Sequence, residues 1–347
     1  MRTKGLASGL AAALLFGAAA PVVKLVLPGS SPFMLAGLLY LGAGAALLPA
    51  LLFNRGPARE APLRRSDAPT MLGMILAGGV AGPLLLLFGL QRLSAVPASL
   101  LLNLEAPFTM LLAVAAFGEH LGGREWAGAL AVVAAAALLG LGPGEAQLSL
   151  SGSLAVAGAC AAWALDNNLA ARLSLKDPVA VVRLKALPAG AFNLIVAFAL
   201  GERLPPAATL IPVLITGALG YGLSIVLNLK AVRELGAARQ AALFSTAPFA
   251  GAALAVPLLH EHLRWLDAGA AALMAAGVAG LLIARHAHEH AHQSMAHEHS
   301  HVHDEHHQHS HTGSEGPEPH GHAHQHEARL HSHPHVSDAH HKHGHKH

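Results

Sequence analysis

The chain has 347 residues, of which 53% are apolar and only 12% charged, about half the charged share of an ordinary soluble domain. Residues 1–285 hold just 31 Asp, Glu, Lys and Arg, whereas residues 286–347 hold 24 of the 27 histidines. An apolar body with a His-loaded tail excludes a single globular unit, and a soluble enzyme of this size would need every helix buried all round.

Crossing a ~30 Å hydrocarbon core takes about 20 mostly apolar residues. Ten such runs follow one another at about 5–27, 32–53, 70–91, 94–117, 125–141, 151–171, 178–200, 208–230, 236–259 and 266–284. Leu and Ala dominate them without the alternation that a membrane barrel requires. The spans therefore read as helices, the other structure that satisfies its backbone in lipid. The first run has Arg2 and Lys4 ahead of an apolar stretch ending in Ala18-Ala19-Ala20, as in a signal peptide. Pro21 follows at once and the apolar stretch continues to Leu27, so it is read as a retained first helix. With the N-terminus cytoplasmic, the inner segments hold Arg2, Lys4, Arg55, Arg59, Arg64, Arg65, Arg124, Arg172, Lys176, Lys230, Arg233 and Arg239, and the outer ones only Arg92, Arg203 and Arg264. This bias sets both termini in the cytoplasm and the body in the cytoplasmic (inner) membrane as a multi-pass protein. The single cysteine, Cys160, lies within a span and excludes an intramolecular disulfide.

The body repeats itself. Residues 100–121, LLLNLEAPFTMLLAVAAFGEHL, and 241–263, AALFSTAPFAGAALAVPLLHEHL, share Ala-Pro-Phe followed by Glu-His-Leu. Ala106-Pro107-Phe108 matches Ala247-Pro248-Phe249 at an offset of 141, and Glu119 matches Glu261 at 142. The chain divides into a five-helix half over 1–144, a second over 145–285, and a tail over 286–347. Five is odd, so the halves insert in opposite directions, the pattern of secondary transporters with a site at the repeat interface. Gly78, Gly79 and Gly82 in the third span correspond to Gly217, Gly220 and Gly222 in the eighth, as close helix packing requires.

These features resemble the EamA-type proteins of the drug/metabolite transporter superfamily. The likeness covers about 1–285 and rests on Pro107…Glu119, Pro248…Glu261, Leu101-Leu102-Asn103-Leu104-Glu105 and Trp163-Ala164-Leu165-Asp166-Asn167-Asn168-Leu169. It implies an all-α membrane fold of ten helices in two inverted repeats and the movement of small metabolites, amino acids or drugs, often outward. Pro107 directly after the Glu105 region departs from the usual pattern and is expected to kink the fourth helix.

An ionisable side chain at the bilayer centre costs about 2.5–3.5 kcal/mol on insertion scales and is a site candidate by default. Glu105 lies about 16 Å from either end of its span at 1.5 Å per residue. Thr109, four residues on, shares its face, and Asn103 lies on another. Asp166, Asn167 and Asn168 form a second cluster, with Asp166 about 9 Å from the inner end of the sixth helix. Lys185 lies at a similar depth on the seventh and is placed to pair with Asp166. Arg183 and Lys24 are read as snorkelling toward the surface. The expected substrate- or proton-binding set is therefore Glu105, Asp166, Asn167, Asn168, Lys185, Asn103 and Thr109, with Glu105 gaining and losing a proton or contacting a cationic cargo. The competing reading is a network that only fastens helices.

In the tail, histidines recur as His-X-His, and the composition forbids a packed core, so disorder is expected. Imidazole suits Zn, Ni and Co. His297, His299, His301, His303, His320, His322 and His324 stand for a collective, non-specific metal-binding set without the fixed spacing of a structural zinc site. No cofactor is required. No Walker-type loop and no nucleophile–base pair is found in the spans, so neither an ATPase nor another enzyme is expected. The function that emerges is export of a small metabolite or drug-like solute by alternating access. Divalent metal efflux, with the tail collecting Ni, Co or Zn, is the alternative. The partners are the lipid bilayer, a small-molecule or ion substrate and at most a second copy of the chain, with no nucleic acid. A reporter active only outside the cytoplasm is expected to be on when fused after Gly144 and off after Arg285. The opposite result at Arg285 would mean an odd number of spans.

Overall fold

Hydrocarbon offers no hydrogen-bond partners, so long Leu/Ala runs must close their backbone bonds locally, and they do so as helices. The computed structural model describes residues 2–50, 62–117, 122–139, 149–173, 176–235, 237–283, 286–291, 295–301, 320–326 and 330–335. Ten helices are found among them. The first half holds α1 (Arg2–Val26), α2 (Pro32–Ala46), α3 (Ala68–Met74, Ile75–Ala81 and Gly82–Leu90), α4 (Ala95–Leu101, Leu102–Leu104 and Glu105–Phe117) and α5 (Gly123–Leu139). The second holds α6 (Leu150–Ala171), α7 (Pro178–Ala199), α8 (Ala207–Thr216, Gly217–Leu223 and Ser224–Leu235), α9 (Ala237–Phe244 and Ala247–Leu259) and α10 (Trp265–Ile283). Five stretches, Gly5–Val26, Arg65–Leu90, Ala95–Leu112, Pro178–Ala199 and Ala207–Ala231, are long and apolar enough to cross a membrane, and Pro32–Ala46, Ala247–Leu259 and Trp265–Leu281 are shorter apolar helices.

Helix starts follow ordinary capping chemistry. The Ser31 hydroxyl accepts from Met34 N–H at 3.1 Å and Pro32 supplies a preset first turn. The Asp177 carboxylate does the same for Val179 N–H at 2.9 Å, again with a proline next. Pro107 has no N–H to return to Asn103, and α4 tightens into a 3₁₀ turn over Leu102–Leu104. At the matching place in the second half, just before Pro248, α9 breaks at Ser245 and Thr246.

The two halves interleave. Among the extensive helix contacts, α2 pairs with α7, α5 with α10 and α4 with α9, while α1 packs on α8 and α3 on α6. The first three pairs join equivalent helices across the two-fold relation, and the last two are each other's image. The core among them is built from Leu35, Leu39, Leu87, Leu90, Leu139 and Met274, each fully buried.

Both α3 and α8 carry a π-helical turn, over Ile75–Ala81 and Gly217–Leu223, 142 residues apart and so in repeat register. The glycines read as packing positions all lie where a neighbour leaves no room. A Cβ at Gly79 would come within 2.6 Å of Ala189 Cβ, one at Gly82 within 2.6 Å of Trp163 Nε1, and one at Gly220 within 2.9 Å of Ala19 Cβ. At Gly217 it would run into the Leu39 carbonyl oxygen.

Among the described residues of the tail, four short segments pair. His286–Ala291 is antiparallel to Leu330–His335, and Met295–His301 to His320–His326. The His-X-His spacing has the two-residue period of a strand, and the register sets His297 opposite His324, His299 opposite His322 and His301 opposite His320. His303 lies outside the described residues.

Gly217→Ala is expected to destabilise the protein by about 1–3 kcal/mol, because the new methyl meets backbone rather than a movable side chain. Gly123→Ala, with nothing within 4 Å, is expected to be neutral or slightly stabilising. Thermal unfolding in detergent measures both.

Candidate functional site

The polar side chains near the middle of the bundle come from four helices. On α4, Glu105 Oε1 accepts from Asn167 Nδ2 of α6 at 2.6 Å. One turn further along, Thr109 Oγ1 donates to the Glu105 carbonyl at 2.8 Å. Asn168 Nδ2 donates to the Thr109 carbonyl at 3.2 Å and to Ala164 O at 2.9 Å. Two adjacent asparagines thus clasp α4 to α6, one through a side chain and one through the backbone. The neighbouring Asp166 points the other way. Its Oδ2 pairs with the Lys185 ammonium of α7. The pairing expected from helix depth is present.

Asp166 rests on the first π turn. In that turn Gly82 N–H reaches back five residues to Ala77 O, so the Gly78 carbonyl loses its usual α-helical donor. Two side chains take it over: Tyr40 OH at 2.5 Å and Trp163 Nε1–H at 3.2 Å. Gly79 O next to it accepts from Asn193 Nδ2 at 3.3 Å. A Cβ at Gly78 would occupy the position of the Asp166 carboxylate. The absence of a side chain at Gly78 is therefore what admits Asp166 to the bundle centre. Asp166 Oδ1 is buried with no hydrogen-bond partner among the described residues.

An aromatic group sits beside this cluster. Phe16 is edge-on to Trp163 at 6.1 Å and to Tyr221 at 5.8 Å, and Tyr40 lies 5.6 Å from Tyr221. Phe16 and Trp163 are 147 residues apart, and at that offset Asp166 falls on Ala19. Contacts support the match, since Gly78 faces Asp166 where its counterpart Gly220 faces Ala19. The charged pair belongs to one half only.

Six of the seven sequence-chosen residues meet here: Glu105, Thr109, Asp166, Asn167, Asn168 and Lys185. Asn103 does not. It is buried on the far side of α4, donating to Leu100 O at 2.9 Å and lying 3.7 Å from Met274 Sδ of α10. Lys24 does not snorkel either; its ammonium donates to Leu90 O and, at 2.9 Å, to Leu93 O. Tyr40, Tyr221 and the π turns carry no charge that marks them in the sequence. The paired glycine clusters were the available signal for the turns, and Trp163 stands within the string that drew attention to Asp166.

Paired inverted halves around a polar centre define a membrane transporter rather than an enzyme. The chain belongs to the EamA-like transporter family, whose pattern matches residues 3–141 and 150–283. It is similar to an uncharacterized transporter of Methanothermobacter thermautotrophicus, with 29% identity over 296 residues, covering 80% of this chain and 85% of that one. A protein known from a crystal structure shares the fold with a TM-score of 0.59 at 23% identity, over 80% of this chain and 98% of its own.

Removing Lys185 would leave a buried carboxylate without its cation, a loss of about 3–5 kcal/mol for pairs of this kind. Lys185→Met is expected to lower the unfolding temperature clearly, and adding Asp166→Asn to restore most of it. A double variant no more stable than Lys185→Met would show that the two side chains act independently.

Proposed function

We propose that this protein is a secondary transporter that exports a small metabolite or drug-like solute by alternating access, with Glu105 as the group that exchanges a proton or a cationic part of the cargo. The observation carrying this reading is the Glu105–Asn167 hydrogen bond at mid-membrane, where Glu105 is only partly buried and Asn167 is exposed. A polar pair at that depth cannot face hydrocarbon without a penalty of several kcal/mol, so it faces a water-filled opening.

The direction of that opening follows from α4. Residues Ala95–Leu104 are buried without interruption, and exposure begins at Glu105. The opening therefore leads toward the end of the bundle where α1 begins and α10 ends, which the Lys/Arg distribution assigns to the cytoplasm. This arrangement suits loading from inside. Asp166 directly precedes Asn167, the partner of Glu105, and pairs with Lys185 of α7, so a change of charge at Glu105 is felt by the pair through low-dielectric surroundings. Zn, Ni or Co held by the tail stays outside this cycle, because no group of three or more His, Cys, Asp or Glu among the described residues would receive the ion.

Glu105→Gln keeps shape and removes the titratable charge. Membrane insertion is expected to be normal and transport to fall about tenfold or more, within the usual range of coupling between two ligands. Resistance of cells to a panel of amino acids, metals and toxic compounds, with and without the gene, reads both cargo and loss. Unimpaired transport would reduce Glu105 to a packing element.

A further inference from the structure

The opposite end of the bundle carries a second polar arrangement. Glu261, just beyond α9, accepts from Ala95 N–H through Oε1 at 2.6 Å and from Val96 N–H through Oε2 at 2.9 Å. Both donors belong to the first turn of α4, whose N–H groups have no partner within their own helix. A carboxylate there is further favoured by the helix dipole. Lys24 of α1 holds the other side of the same turn, donating to Leu90 O and Leu93 O at the end of α3. One acid from the second half and one base from the first thus grip the two ends of the α3–α4 connection. That hairpin also carries the Gly78 π turn on one leg and Glu105 on the other.

Directly inside this grip the bundle is shut. Ala95, Val96, Ser99 and Leu100 are 0–1% exposed. The Ser99 hydroxyl is buried without a partner among the described residues, at a point where α4 and α9 come close enough that a Cβ on Gly251 would lie 3.1 Å from it.

We propose that Glu261 and Lys24 form the latch that closes this end of the transport pathway, by tying the α3–α4 turn to α1 and to the α9–α10 connection. The proposal rests on the alternating-access reading above. Two features make the contact a latch rather than a permanent staple. It lies where helices end, so on opening the released N–H, C=O and charged groups meet water and stay satisfied, whereas parting a buried apolar contact would leave a void. Its Glu261 arm also joins residues from opposite halves, so any rocking of one half against the other acts on that arm directly.

The test reads access to Ser99. In the full-length chain with Cys160→Ala, the cysteine introduced by Ser99→Cys is exposed to a membrane-impermeant maleimide added to intact cells. Slow labelling is expected with the latch in place. Glu261→Ala is expected to speed labelling about tenfold, the effect of losing one strong helix cap, and Lys24→Met to act in the same direction. Should Glu261→Ala fail to reach the membrane, Glu261→Gln, which keeps one acceptor, is expected to give a smaller rise. Labelling unchanged in Glu261→Ala and Lys24→Met, with both present at parental levels, overturns the latch even if Glu105→Gln abolishes transport. Faster labelling in a chain that moves none of the tested solutes supports the latch and counts against the cargo assignment instead.

Discussion

Every backbone N–H and C=O placed in hydrocarbon must find its partner inside the protein. Most do so within α-helices, and the informative places are those where the α-pattern is interrupted. The π turn in α3 releases the Gly78 carbonyl, which Tyr40 and Trp163 then claim. The end of α3 leaves carbonyls that Lys24 takes, and the start of α4 leaves N–H groups that Glu261 takes. Each of these three draws in a polar side chain from elsewhere in the chain. The polar architecture of the bundle is thus a consequence of where its helices cannot stay regular.

Symmetry explains where those interruptions fall, and its breaking explains the chemistry. The π turns recur at the repeat offset and bear on equivalent partners. The halves share packing surfaces because the same glycines let backbones approach in both. They do not share charge. Asp166 stands where the first half has Ala19, and Glu105 corresponds to Thr246 at the offset set by the Ala-Pro-Phe motif. A symmetric frame allows two mirror-related states of similar energy, while carboxylates that each lack a charged counterpart in the other half give those states different electrostatics.

Much of this was legible in the sequence. The ten helices follow from run length and composition, because lipid-facing helices need no alternation to be recognised. The repeat followed from two short motifs held in register. Asp166 with Lys185 followed from depth along two adjacent helices, since a fixed rise per residue makes depth readable. Helix rotation was not readable in the same way. Leu and Ala surround α4 on all sides, so nothing in its pattern says that Asn103 turns toward Met274 while Glu105 turns toward Asn167. Lys24 was misjudged for a related reason. Its distance from the helix end suggested snorkelling, but the orphan carbonyls that capture it belong to a helix 66 residues further along the chain. The tail's two-residue histidine period was visible, but composition alone did not disclose its pairing.

The polar centre and the closed end are joined by one rigid element. The outer turn of the α3–α4 hairpin ties to α1 and to the second half, and its two legs hold Gly78 and Glu105 against α6. A shift of α6 relative to α4 must therefore be absorbed along this hairpin. The stretch between, from Ala95 to Leu104, is buried and packed throughout, so it transmits displacement rather than yielding to it. The one place on the other leg where the helix is already wound differently is the π turn at Ile75–Ala81, beneath Asp166. Movement at the centre can then be expressed either at that turn or at the end where Glu261 and Lys24 grip, two places where the hairpin's backbone takes hydrogen bonds from outside its own helices.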